Sequence, residues 1–183
     1  MNLLLHVWRE ACRHIEISES VERIAPMLER RLPLDRLLIR SLNVQRSYVE
    51  TVACGAGGRA AEAGESRTSC GAEAIGVLLA WCSQGEIVHG PAETVRTQLP
   101  GAVPADVAGD ILAGGLCGHE GPIGLAVFVA PAGRTFEAGH AALAKALLEP
   151  FGRALENDRR LQEMRRLREA AEADRRALLT RLG

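Results

Sequence analysis

Residues 117–133 read CGHEGPIGLAVFVAPAG, and this stretch decides the fold. Its apolar run lies between segments rich in glycine and proline, which predicts a hairpin that leads into a buried strand at 123–130. A helical pattern then continues from about Glu137 to the C-terminus, with only Pro150 to interrupt it. A helix of about 45 residues would be on the order of 70 Å long, more than one domain of this size needs. We therefore expect one helix that begins packed on a sheet and ends as a charged rod outside the domain.

The composition narrows the class of protein. The chain has 183 residues, 47% of them hydrophobic and 25% charged, which is typical of one globular domain with a real core. A net charge of −1 gives no reason to expect direct binding of nucleic acid. No apolar run approaches the roughly 18 residues that a membrane span requires, so we expect no membrane contact and a cytoplasmic location. Five cysteines at irregular spacing favour reduced thiols over a disulfide framework.

The N-terminal third predicts two helices. Apolar residues at helical spacing, among them Trp8 and Ile15, indicate an amphipathic helix over residues 2–16. A second helix is predicted over Val21–Leu32, with Ser18 or Ser20 as its N-terminal cap.

The remaining pattern predicts an antiparallel sheet. The predicted strands are 35–43, 48–54, 86–89, 111–117 and 123–130. Between them we expect a loop at 55–65, a helix at 73–82 and an irregular segment with one helical turn at 92–109. This order indicates an α+β layer in which helices gather on one face of the sheet. The helix 73–82 and the loops would cover the other face, and the cleft beneath them is the natural site for a small molecule.

Several segments together resemble a known family. The run Leu116…Gly121…Gly124-Leu125, followed by Phe136 and by AALAKALLEPFGRALENDRRL at 141–161, resembles the C-terminal signature of GAF domains. The helix pair followed by LPLDRLLI at 32–39 is similar to their N-terminal pattern. The resemblance implies a GAF-like central antiparallel sheet with helices packed on one face and a long C-terminal helix. It also implies a sensory domain over 1–158 and a signalling or coiled-coil linker helix over 159–183.

A narrower resemblance comes from the tail. Residues 161–183 look like the linker that follows the sensory GAF domain in sigma-54-dependent transcriptional activators. An ATPase of the AAA+ class and a DNA-binding helix-turn-helix domain follow in those proteins, and the chain carries no G-x-x-x-x-G-K-[ST] loop of its own. The resemblance implies the sensory module of a longer regulator, in which a small effector controls the ATPase. A GAF domain of a sensor kinase or another signalling protein is the alternative.

Two candidate ligand-binding residues lie in otherwise apolar surroundings. Arg40 stands in the middle of a predicted strand, and a buried guanidinium needs an anionic partner, so it would bind an anionic effector in the cleft. An edge or solvent-facing position, or an internal salt bridge to Glu50 across the hairpin, is the alternative explanation. Trp81 ends the predicted cover helix and would either line the pocket or simply pack in the core.

The other candidates are cysteines and a histidine. Cys117 and His119 are two residues apart and would point to the same side of a strand, where they could hold iron in a redox or gas sensor. Their spacing fits no structural zinc pattern, so no metal is predicted, and no cofactor is indicated. Cys70, Cys82 and Cys117 could be assigned the thiol roles of free methionine sulfoxide reductases. Their surroundings do not resemble that class, and we therefore expect no enzyme.

The tail predicts self-association. Its apolar residues recur at intervals of three, four and seven, while charged residues break any strict heptad. The apolar set is Leu161, Met164, Leu167, Ala171, Leu178 and Leu182, and the breaks are Arg168, Asp174 and Arg175. We expect a homodimer through the long helix and the N-terminal helix, in which the effector shifts helix packing; a solvated single helix is the alternative.

Overall fold

A computed structural model of the chain describes residues 2–13, 16–56 and 67–183. The helices of this part are α1 (Leu3–Ala11), α2 (Ile17–Leu28), α3 (Ala72–Gln84), α4 (Ala92–Gln98) and α5 (Ala138–Leu182). The strands are β1 (Arg36–Asn43), β2 (Tyr48–Ala56), β3 (Arg67–Ser69), β4 (Ile87–Pro91), β5 (Asp110–Gly118) and β6 (Gly121–Val129).

The strands form one antiparallel sheet of six in the order β3-β2-β1-β6-β5-β4. Both predicted hairpins, β1–β2 and β5–β6, are neighbours in it. The β5–β6 turn ends at Gly121, whose φ of +126° is a conformation that side chains rarely adopt. Because β6 pairs with both β1 and β5, the stretch that dominates the sequence pattern lies at the centre of the sheet.

Period-two alternation along the central strands builds two cores. Leu37 of β1 and Phe128 of β6 face α1, α2 and α5, whereas Leu38 and Val127 face α3 and α4. The chain therefore has the predicted α+β architecture with a GAF-like sheet and a long C-terminal helix. On the second face, the helical turn predicted within 92–109 is a seven-residue helix, α4, at the start of that segment.

The predicted limits of the N-terminal helices are wrong. α1 ends at Ala11 rather than at residue 16, and Ile15, which was assigned to it, lies outside the described residues. α2 begins at Ile17 and ends at Leu28 rather than at residue 32. Neither serine caps α2, because both lie within it.

The N-terminus of α2 is capped instead from the other end of the chain. The backbone N–H of Ile17 donates a 3.0 Å hydrogen bond to Oδ1 of Asp158, a buried carboxylate on α5. A negative group at a helix N-terminus satisfies an otherwise unpaired N–H and interacts favourably with the helix dipole. No local sequence signal marks this cap, because 141 residues separate its two members.

Removing this cap should destabilise the domain. Asp158→Ala leaves the Ile17 N–H buried and unpaired, so we expect the free energy of unfolding to fall by about 1–3 kcal/mol. Urea denaturation measures the change. Asp158→Asn keeps an oxygen acceptor and should recover most of the loss, and Asp174→Ala, on the exposed part of α5, should change little. Equal losses for Asp158→Ala and Asp174→Ala would contradict the role of the cap.

Pro150 does not interrupt α5, which continues for 45 residues. A proline inside a helix removes one hydrogen bond and costs about 3 kcal/mol. Here Pro150 is buried, and its neighbours Leu147, Phe151 and Leu155 are fully buried against the sheet. We infer that this packing outweighs the lost hydrogen bond.

The remaining differences concern short elements. β3 was not predicted, because its three residues lie next to a polar segment and carry no alternation. The predicted loop at 55–65 lies mostly outside the described residues, although β2 extends to Ala56. β4, β5 and β6 differ from their predicted limits by one or two residues. No helix of the described part is long and apolar enough to cross a lipid bilayer.

Candidate functional site

Arg40 lies at the centre of the sheet with its side chain directed to the α3/α4 side. It lies on the same face of β1 as Leu38 and Leu42, which both belong to the α3/α4 core. Its side chain is fully buried, with 0% exposure. The alternative of an edge or solvent-facing position is therefore wrong.

The guanidinium of Arg40 donates only to neutral oxygens. Nη1 donates to Oγ1 of Thr51 at 2.7 Å. Nη2 donates to Oγ1 of Thr68 at 2.9 Å, to the carbonyl of Gly101 at 3.3 Å and to the carbonyl of Val49 at 3.4 Å. Nε is buried and has no hydrogen-bond partner among the described residues.

No carboxylate of the described residues pairs with Arg40. The alternative of a salt bridge to Glu50 is wrong, because Glu50 pairs with Arg67 at 3.3 Å. Asp106 contributes only a distant attraction and pairs with Arg36 at 3.8 Å. Burial lowers the pKa of Arg40 to about 10, so the guanidinium remains a cation at neutral pH. The fold thus carries a buried positive charge without a paired negative one in its described part.

Cys70 lies beside this guanidinium. Its backbone N–H donates to the carbonyl of Ser47 at 2.8 Å, which fixes the start of the connection from β3 to α3. A Cβ atom at Gly101 would come within 2.2 Å of the Cys70 sulfur, and the φ of Gly101 is +88°. Glycine is therefore required where the loop after α4 approaches the thiol. The structure thus brings together Arg40 and Cys70, two of the predicted site residues.

We call the following set the Arg40 site: Arg40, Thr51, Thr68, Cys70 and Gly101. Its members come from β1, β2, β3 and two connections. Sequence reasoning missed the two threonines and the glycine. Only the tertiary pairing reveals them, because Thr51 is opposite Arg40 in the β1–β2 register while Thr68 and Gly101 arrive from distant parts of the chain.

Trp81 lies on α3 and is 7% exposed in the α3/α4 core. Trp81 therefore packs in the core, which was the alternative to lining a ligand pocket. Its indole Nε1 is nevertheless buried without a hydrogen-bond partner among the described residues. α3 approaches the sheet at Gly115, where an added Cβ would lie 2.4 Å from Cα of Cys82. Gly115 is in register with Arg40 through Leu125 of β6, so α3 covers the same row of the sheet.

Cys117 and His119 do not share one side of a strand. Cys117 lies on β5, whereas His119 lies in the turn before β6, so the prediction of a common strand face is wrong. They line a pocket of about 150 Å³ against α5, where Glu156 accepts from the His119 backbone N–H. Cys117 instead donates its thiol to the Cys82 carbonyl at 3.6 Å. In the described residues, no group of three or more His, Cys, Asp or Glu is arranged to hold a metal.

The thiols show no sign of activation. Burial raises the pKa of Cys54, Cys70 and Cys117 above the ordinary value, and it raises the pKa of Cys82 to about 12. A nucleophilic cysteine requires the opposite shift, since the thiolate is the reactive form.

A groove lies on the other face of the strands that carry Arg40 and Thr51. It has a volume of about 570 Å³, and its lining includes Ser41 of β1, Val52 of β2 and Asp158 of α5. Ser41 directly follows Arg40, and Val52 directly follows Thr51. The Arg40 site and the point where α5 leaves the sheet therefore lie on opposite faces of β1 and β2, separated by the thickness of a single sheet.

No protein-family model and no curated protein sequence matches the chain. Solved structures do match it. The GAF domain of a phosphoenolpyruvate-protein phosphotransferase from Coxiella burnetii is 13% identical, with a TM-score of 0.60 over 88% of this chain and 95% of that one. The phycoerythrobilin-bound GAF domain of a cyanobacterial phytochrome is 10% identical, with a TM-score of 0.62 over 86% and 96%.

A third match is an enzyme. The free methionine-R-sulfoxide reductase of Neisseria meningitidis, solved with its substrate, is 12% identical, with a TM-score of 0.57 over 87% of this chain and 89% of that one. At such identities the likeness concerns the fold alone. The chain has the fold of GAF domains, a fold that these matches show in a phosphotransferase, a phytochrome and a reductase.

Proposed function

We propose that the chain is a small-molecule-sensing regulatory GAF domain of a bacterial transcriptional regulator. An effector bound on the α3/α4 side of the sheet would change the packing of α5, which passes the change to an output domain. The observation that carries this proposal is the continuity of α5, which runs without a break from the buried core to a fully exposed tail.

The two parts of α5 have different environments. Its N-terminal part packs on the sheet through fully buried residues such as Phe151 and Leu155, and its last buried residue is Asp158. The 24 residues from there to Leu182 rise about 36 Å along the helix axis. Leu161 of that segment is half-buried and every residue from Gln162 onward is exposed, so folding of the domain alone gives most of the segment no role.

Two contacts couple the exit of α5 to the N-terminal helices. Asp158 caps Ile17, and Arg165 pairs with Glu16 at 2.5 Å. A shift of β1 and β2 around a ligand at the Arg40 site would reach the groove beneath them, which Asp158 and Arg165 line. This gives a physical route for a population shift between two arrangements of α5.

We further propose a homodimer through α5 and α1. The exposed tail carries apolar residues that have no partner in the described part of the chain, with Met164 68% and Leu182 84% exposed. Leu5 of α1 is also exposed, and α1 contacts α5. Exposed apolar surface of this kind is typical of an association surface. In the parent protein, AAA+ and DNA-binding domains would follow; the output domain of a sensor kinase is the alternative.

Charges placed on the apolar stripe should dissociate this dimer. Leu167 and Leu178 are 11 residues apart and lie on one side of the helix. The double variant Leu167→Glu/Leu178→Glu should weaken dimerisation at least tenfold, measured by sedimentation equilibrium. Ala173→Glu, on the opposite side, is the matched control and should leave the dimer intact. A wild-type chain that is monomeric at high micromolar concentration would refute the dimer.

The sensing role is tested by coupling ligand binding to tail geometry. A screen of cytoplasmic metabolites by thermal shift identifies a stabilising class. Electron paramagnetic resonance then measures the distance between labels at Arg176→Cys in the two subunits, with the exposed Cys12 and Cys117 replaced by serine. We expect the stabilising metabolite to change this distance distribution. An unchanged distribution at saturating metabolite would overturn the relay.

We propose that no residue is catalytic, although one structural match is a reductase. The raised thiol pKa values weigh against a cysteine nucleophile and equally against a redox sensor based on a reactive thiolate. Turnover of free methionine sulfoxide that is lost on thiol alkylation would reverse this assignment.

A further inference from the structure

We propose that the effector carries a carboxylate and that Arg40 binds it. The inference rests on the proposed sensing function and assigns the chemical class of its ligand. The site would bind a small organic acid whose singly charged carboxylate pairs with the guanidinium of Arg40.

The charge of Arg40 is the first argument. Transferring a cation from water into a protein interior is costly unless an anion accompanies it. The described residues offer Arg40 only hydroxyl and carbonyl oxygens, and its pKa remains high enough to keep the charge. A lowered pKa in the folded state means that this group opposes folding at neutral pH, and a bound anion would relieve that cost.

Unpaired donors are the second argument. On the α3/α4 side of the sheet, the described residues leave two buried side-chain nitrogens without partners, Nε of Arg40 and Nε1 of Trp81. Both are N–H donors. Buried polar groups in folded proteins are normally paired, so the unpaired Nε of Arg40 indicates a missing acceptor at the guanidinium. A carboxylate supplies acceptors and the compensating charge at once.

Access is the third argument. The guanidinium is fully buried, but Thr51, Thr68, Cys70 and Gly101 around it are all partly exposed. A small molecule can therefore reach it by displacing the contacts of this rim. One guanidinium balances one negative charge, which favours a carboxylate over a phosphate dianion, because no second cation of the described residues donates into the set.

The test uses the 183-residue chain and acetate as the probe. Acetate is titrated against the wild-type protein at constant ionic strength with chloride as the balancing ion. We expect a saturable rise in melting temperature, about 3–6 °C when acetate is at ten times its dissociation constant. The same titration should move the NMR resonance of the Arg40 Nε–H group, assigned by its loss in Arg40→Gln. Arg40→Gln should abolish the thermal response.

Arg67→Gln is the matched control, because Arg67 is an exposed arginine paired with Glu50 on the neighbouring strands. It should respond to acetate as the wild type does. An equal response in Arg40→Gln, or no movement of the Nε–H resonance in the folded wild type, would overturn the proposal. A larger response to inorganic phosphate than to acetate would overturn the carboxylate class. If Arg40→Gln fails to fold, Arg40→Lys, which keeps the charge but lacks the guanidinium Nε–H, assigns the wild-type resonance, and the response of that resonance to acetate decides.

A carboxylate of the chain itself is the competing explanation. Glu62 and Glu65 lie outside the described residues. If Glu62→Gln/Glu65→Gln moves the Arg40 Nε–H resonance in the absence of acetate, the partner is internal and the proposal fails. An unchanged resonance supports it. Acetate binding without any change in the tail would contradict the proposed transmission to α5, but it would agree with the assignment of Arg40 as the binding residue.

Discussion

Phe151→Ala should lower the free energy of unfolding by about 3–5 kcal/mol, the usual cost of truncating a buried phenylalanine. Phe151 is fully buried, and its ring centroid lies 6.4 Å from that of Phe128 on β6. The variant would leave a cavity where α5 packs on the centre of the sheet. Urea denaturation followed by far-ultraviolet circular dichroism measures the change.

The matched control lies on the same helix. Leu178→Ala removes an exposed side chain from the tail and should change the unfolding free energy of the monomer by less than about 0.5 kcal/mol. The contrast separates the two parts of α5, one belonging to the core and the other not. Similar losses for both variants would mean that the tail packs on the domain, which would also remove the basis of the relay.

Gly115→Val should be of comparable severity, with a loss of about 3 kcal/mol. An added Cβ would lie 2.4 Å from Cα and 3.0 Å from the carbonyl oxygen of Cys82, so the backbone of α3 has to move. Because α3 covers the sheet in the row of Arg40, this displacement should also open the ligand side. Acrylamide quenching of tryptophan fluorescence measures the resulting increase in the solvent exposure of Trp81.

Gly76→Ala is the control on α3 itself. Nothing lies within 4 Å of a Cβ at Gly76, and alanine is about 1 kcal/mol better than glycine inside a helix, so this variant should be neutral or stabilising. Should Gly115→Val prove as stable as the wild type, the close approach of α3 to β5 would be wrong.

The glycine pair Gly114-Gly115 shows how local reasoning misjudges a strand. By propensity it weakens the prediction of β5, yet β5 forms and lies inside the sheet. The reason is that the two residues face opposite layers. A Cβ at Gly114 would meet Leu148 of α5 at 2.5 Å, and one at Gly115 would meet α3. Small residues there allow helices to approach the sheet on both sides.

Arg40 shows the reverse case. Its place in an apolar strand left a buried position, an edge position and a salt bridge to Glu50 open, and the structure places it buried on the same side of β1 as Leu38 and Leu42. The acceptors around it were beyond prediction. They come from β2, β3 and the loop after α4, and only the folded chain brings them within hydrogen-bond distance.

Hydrophobic periodicity alone gives the architecture of this protein: five of the six strands, both hairpins and the long C-terminal helix follow from periods of two and 3.6 residues. Contacts between segments distant in sequence settle the rest. Three contacts join residues that no local pattern relates: the Asp158 cap on α2, the hydrogen bonds of Arg40 to neutral oxygens, and the close approach of α3 to Gly115. Periodicity encodes which side of an element faces the core, whereas pairing of polar groups depends on which elements meet there.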